Sequence, residues 1–126
     1  MTQSTREEVL AATARTAETM QVQTVPVNAY ETPAALIVVA PLPAVTADDV
    51  TIEVHDAWLR FTALLRSAGP RSYLLHEWEY GGYERELDLP PGFGAGAEAS
   101  LANGQLVIRV LRGPFTQPIS LQPIGL

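Results

Sequence analysis

From about residue 24 onward the chain is a succession of short apolar runs separated by breaks rich in proline and glycine. The clearest run spans residues 106–111. Leu106, Ile108 and Val110 fall on one face of an extended chain, and Val107, Arg109 and Leu111 on the other. It follows Asn103-Gly104, two residues that tolerate the positive φ a tight hairpin turn demands. The same reading predicts strands over residues 24–30, 35–40, 50–54, 58–63, 73–80, 83–89 and 97–101. In the third of these Val50, Ile52 and Val54 point inward. In residues 83–89, Arg85, Leu87 and Leu89 share a face opposite Glu84, Glu86 and Asp88.

The breaks are as informative as the runs. Pro26 places the first strand at an edge or late in starting, and Pro41-Leu42-Pro43 stops the second, because proline has no N–H to give to a ladder. Thr46 is placed to cap a helical turn through Asp49. Many short strands at such spacing predict an all-β fold, a sandwich whose two inner faces lie about 10 Å apart. Residues 4–21 are the one helix candidate, with Ser4–Glu7 or Thr5–Glu8 as a capping box. Its apolar face is weak, so it reads either as a frayed arm or as an adhesive arm that docks on partners. The tail, residues 113–126, reads as extended and without a core of its own.

Composition narrows the classes of function. At 126 residues the chain holds one domain. With 47% hydrophobic and 17% charged residues it is not disordered throughout. No apolar run approaches the roughly 20 residues of a membrane span, and the first residues lack the basic and apolar regions of a signal peptide. A cytoplasmic location is the expectation. The absence of Cys excludes a disulfide framework and thiolate chemistry. The net charge of −6 argues against sequence-independent nucleic-acid binding.

Candidate chemistry is sparse, and no enzyme is expected. His55 and His76 begin no metal-binding spacing, and a histidine in a turn or on a strand is more often solvated than a ligand. Glu77, Glu79, Glu84 and Glu86 alternate and read as a solvated strand face. No serine stands in a G-x-S-x-G context. Residues 92–96 superficially resemble a dinucleotide fingerprint but lie between strands, with no helix behind them. Neither cofactor nor metal is implied. Trp58, Tyr73, Trp78, Tyr80 and Tyr83 could form a sugar or base platform, but without a basic groove they fit core and interface packing better.

The order of the motifs adds what none carries alone. Tyr73, Glu77, Tyr80, Gly81 and Arg85 fall on the pattern Y-x-x-x-E-x-x-Y-G-x-F-x-R of bacterial small heat-shock proteins, with Tyr83 in place of the Phe, and Leu87-Asp88-Leu89-Pro90 continues as that family does. Upstream, residues 40–50 resemble its a-x-L-P-G-v-x-x-e-D-i segment, with Ala44 where the glycine stands. Downstream, residues 99–106 are similar to its A-x-x-x-N-G-x-L signature through Ala99, Asn103, Gly104 and Leu106, with Leu101 and Ile108 on the strands that flank the turn. Ile119-Ser120-Leu121 resembles its I-x-I/V tail motif, and Ile124-Gly125-Leu126 is a second candidate for that role.

The resemblance implies an immunoglobulin-like β-sandwich, the α-crystallin domain, over residues 25–112. An N-terminal arm (1–24) would precede it, and a C-terminal extension (113–126) would follow. It implies a cytoplasmic, ATP-independent holdase that takes partly unfolded clients and suppresses their aggregation under stress. Partners would be unfolded proteins and a second copy in a homodimer, with no nucleic acid and no membrane. Arg85 matches the dimer-interface arginine, which would pair with a carboxylate. The loop Arg66, Ser67, Ala68, Gly69, Pro70, Arg71, Ser72, with Tyr73, would provide strand exchange. Ile119 and Leu121 would insert into an apolar groove of a neighbouring sandwich, with the strand after Asn103-Gly104 as one wall. Val9, Leu10 and Met20 of the arm would contact clients. The alternative is a non-chaperone adaptor built on the same sandwich, which would lack the tail motif.

Overall fold

A computed structural model describes residues 23–64, 72–75, 77 and 82–126. The proposed arm helix and Val9, Leu10 and Met20 lie outside the described residues. So do Arg66, Ser67, Ala68, Gly69, Pro70 and Arg71, and His76, Trp78, Glu79 and Tyr80.

Two five-stranded sheets form the fold, which is the expected immunoglobulin-like sandwich. The strands, in chain order, are β1 (Gln23–Thr24), β2 (Asn28–Glu31), β3 (Ala35–Pro41), β4 (Val50–His55), β5 (Trp58–Leu64), β6 (Gly82–Asp88), β7 (Phe93–Ala102), β8 (Gln105–Arg112), β9 (Ile119–Leu121) and β10 (Ile124–Gly125). The first sheet runs β1-β6-β5-β4-β9, and the second runs β10-β7-β8-β3-β2. Between them lie the inward residues of the alternating runs. Val38, Val50, Ile52, Val54, Leu59, Phe61, Leu106, Ile108 and Val110 are fully buried.

The expected first strand is split. Thr24 pairs with β6 in one sheet, whereas Asn28 to Glu31 pairs with β3 in the other. Pro26 lies at the crossing, where its missing N–H costs no ladder bond. Val25 before it is buried, and its N–H donates to the Glu84 carbonyl at 3.3 Å. The turn after β3 also serves the core. Leu42 is fully buried and donates its N–H to the Gly104 carbonyl at 2.7 Å. A short 3-10 turn, Ala47–Asp49, follows Thr46. Thr46 is its N-cap residue, as expected, and the Asp49 carboxylate three residues on reaches back to accept from both the Thr46 N–H and the Thr46 hydroxyl.

Two other elements differ from expectation. Tyr73 to Leu75 and Glu77, expected within a strand, are not strand residues and are exposed. The strand expected over 97–101 begins earlier, at Phe93, because an irregularity between Phe93 and Ala97 lets the glycine-rich stretch rejoin the ladder with β8.

Candidate functional site

Asn103 and Gly104 form the two-residue β7–β8 hairpin. Both have positive φ, 52° and 74°, the type I′ geometry whose twist suits flanking strands. The turn sets the register that opposes Ala102 to Gln105 and Leu101 to Leu106. It thereby places Leu101, Leu106 and Ile108 in the core. The signature residues are thus structural, and they fix the position of β7.

β7 matters because it is an edge of the original sandwich, as is β4 in the facing sheet. The tail lies along both. Ile119 and Leu121 of β9 pair antiparallel with Val54 and Ile52 of β4, half-buried against the core, with Ser120 turned outward opposite Glu53. β9 also touches β7 across the gap between the sheets. Ile124 and Gly125 of β10 then run parallel to β7, opposite Ser100 and Leu101. The Leu126 N–H donates to the Leu101 carbonyl at 3.0 Å. In this single chain the acceptor of the tail motif is therefore the chain's own β4. β8 lies one strand further in, between β7 and β3.

The two I-x-L motifs are not equivalent. The first turns its apolar side chains toward the core. The second is held through backbone pairing, with Ile124 67% and Leu126 85% exposed.

The opposite side of the molecule is less covered. β2 pairs with β3 alone among the described strands, and all four of its residues are exposed, including Tyr30. Leu64, Leu74 and Leu75 are exposed as well. Arg85 is half-buried on β6, and its guanidinium donates to the Val25 carbonyl at 3.2 Å. Ser72 and Tyr73 lie in an exposed, non-strand segment.

The remaining candidate residues have structural surroundings. Glu84 pairs with Arg60 across β5 and β6 at 2.6 Å, which raises the arginine pKa through that bond and its charge. Glu86 faces solvent. The His55 and Trp58 rings stack at 4.0 Å across the hairpin joining β4 to β5. Among the described residues no group of three or more His, Cys, Asp or Glu is placed to hold a metal ion.

Comparison with known proteins agrees with this geometry. The model of one family, described as Hsp20/alpha crystallin, matches residues 28–122. No curated protein matches the sequence. Among solved structures, hspA from Xanthomonas axonopodis is 22% identical with a TM-score of 0.66, over 76% of this chain and 100% of that one. A small heat-shock protein from Xylella fastidiosa is 23% identical with a TM-score of 0.65, over 81% of this chain and 97% of that one. Heat shock protein 16.0 from Schizosaccharomyces pombe is 19% identical with a TM-score of 0.63, over 76% and 71%. At these identities the likeness is one of fold.

Proposed function

Because this chain belongs to the Hsp20/alpha crystallin family, whose members are chaperones and not enzymes, we propose that it is an ATP-independent holdase. It would bind partly unfolded proteins and keep them from aggregating. One observation carries the reading beyond the family: β2 offers a strand edge that no described strand covers, with Tyr30 exposed on it. Unfolding proteins expose apolar segments and unpaired backbone, and such an edge can take them by strand addition. Recognition of this kind follows exposed apolar surface, so clients would be chosen by state and not by sequence.

In this proposal a second copy forms a homodimer through the segment ending in Ser72 and Tyr73 and through Arg85. Val9, Leu10 and Met20 add client contacts, and the protein works in the cytoplasm. No helix among the described residues is long and apolar enough to cross a membrane.

The test is light scattering from a heat-labile client with no nucleotide present. Suppression at equimolar protein is expected; unchanged aggregation across temperatures sinks the assignment. Sedimentation of Arg85→Ala addresses the dimer. A shift toward monomer is the expected result, and an unchanged mass removes Arg85 from the interface.

A further inference from the structure

β2 has little to hold it in the sandwich. None of its four residues is buried, and among the described strands it pairs with β3 alone. A ladder that buries nothing on one of its strands is marginal in water. Yet β2 carries the open edge on which the proposed function rests, so what holds it from outside the ladder matters.

That hold comes from the end of β8. The Arg112 guanidinium donates from Nη2 to the Thr32 carbonyl and from Nε to the Pro33 carbonyl, both at 3.0 Å. Both carbonyls belong to the turn between β2 and β3, outside the ladder. The Arg112 backbone N–H donates to the Ala34 carbonyl at 2.9 Å, and the Glu31 carboxylate at the end of β2 lies 3.9 Å from Nη2. The guanidinium carbon stands 4.5 Å from the centre of the Phe93 ring, which is buried in β7. One planar group thus rests on a core ring and forks to the turn. Thr32 closes the same turn from within: its N–H donates to the Ala35 carbonyl at 2.8 Å, and its hydroxyl accepts from the Ala35 N–H at 3.0 Å.

We propose that Arg112 is a positioning residue for the β2 edge: it pins the β2–β3 turn to the core, so that β2 meets an extended apolar segment already in place. The proposal rests on the holdase reading and says what keeps its binding edge ordered. An edge that frays has to be ordered at the moment of capture, and the lost conformational entropy weakens binding.

The chemistry asks for arginine. A guanidinium is planar, presents its N–H groups in a fixed fork that suits two neighbouring carbonyls, and stacks on an aromatic ring. Lysine keeps the charge and loses both the fork and the flat contact. Arg109 supplies a control on the same strand. Its side chain is as exposed as that of Arg112, 44% against 45%, and it pairs with Glu98 of β7, on the side of β8 away from β2.

Hydrogen exchange of the full chain, read at residues 28–31, tests the pin. Arg112→Lys and Arg112→Ala should each speed exchange there several-fold and leave residues 50–54 unchanged. Arg109→Ala should match the parent chain at both places. Unchanged exchange at residues 28–31 in both Arg112 variants overturns the pin, as does a rise shared with residues 50–54 or with Arg109→Ala. The same variants then enter the light-scattering assay. Both Arg112 variants should need several-fold more protein for half-suppression, and potency equal to the parent's overturns the positioning role. A crosslink separates the placement of β2 from any other effect of the arginine. Asn28 and Val39 are register partners, and strand partners stand about 4.5–5.5 Å apart at Cα, within disulfide range. The chain has no cysteine of its own. Added to Arg112→Ala, the pair Asn28→Cys/Val39→Cys should restore potency when oxidised and not when reduced; no recovery overturns the proposal. If the parent chain itself leaves the client unprotected, the holdase reading falls and the client role of Arg112 with it, while the exchange data still report on the pin.

Discussion

Phe115 lies against the bare backbone of Gly94, its Cβ 3.1 Å from where a Cβ on that glycine would stand. Gly94 has φ of +127°, a conformation side chains rarely adopt. Gly94→Ala therefore meets two penalties, backbone strain and a crowded Phe115, and is expected to lose about 1–3 kcal/mol in denaturant unfolding. Adding Phe115→Ala removes the ring contact at 3.3 Å and leaves the Cβ contact and the backbone strain in place. The double variant should recover little of the loss; full recovery would show that the backbone conformation carries no strain.

Ala44 is the converse case, a side chain where a glycine fits better. Its φ is +67° in the turn after Pro43. An L-residue pays about 1–2 kcal/mol there, partly offset by the extra freedom glycine has when unfolded. Ala44→Gly is expected to stabilise by about 0.5–1 kcal/mol in a chemical melt. A loss would mean that the Ala44 methyl packs usefully.

Tyr83 gives the fold an alkaline limit. Its ring is buried on β6, its hydroxyl donates to the Pro43 carbonyl at 3.3 Å, and burial raises its pKa above the usual tyrosine value. The folded chain thus holds this proton to higher pH than the unfolded chain does. The resulting stability is complete below about pH 10 and is lost as pH rises through the folded pKa. Melts between pH 8 and 11.5 should show a decline that Tyr83→Phe lacks. Parallel curves would assign the decline to other groups.

Among the described residues Phe61 is the largest fully buried side chain, set in β5 between the sheets. Phe61→Ala should cost about 3–5 kcal/mol by calorimetry or denaturant melt. A loss under 1 kcal/mol would mean that the two sheets close over the vacancy.

How much of this is legible in the sequence depends on whether a segment's partner lies nearby in pattern. β3, β4, β5 and β8 alternate or are continuously apolar, and burial follows that pattern residue by residue. The Asn103-Gly104 turn was readable because positive φ has a composition. Pro26 marked a break, but the change of sheet at that point had no sequence signal. Residues 73–80 alternate like a strand. A strand also needs a ladder, and the described residues of the segment are not strand, with Leu74 and Leu75 exposed. β9 and β10 have three and two residues, too few for periodicity to register. The I-x-L motif was visible only through its resemblance, which named a neighbour and not its own β4 as acceptor.

The order of synthesis gives the closing of the edges a timetable. β4 and β7 leave the ribosome well before β9 and β10, which pair with them. Until those last strands emerge, the nascent chain carries two open edges of the kind that drives aggregation. Translation that halts before residue 119 therefore releases a protein whose sheets are built but whose seam is unsewn.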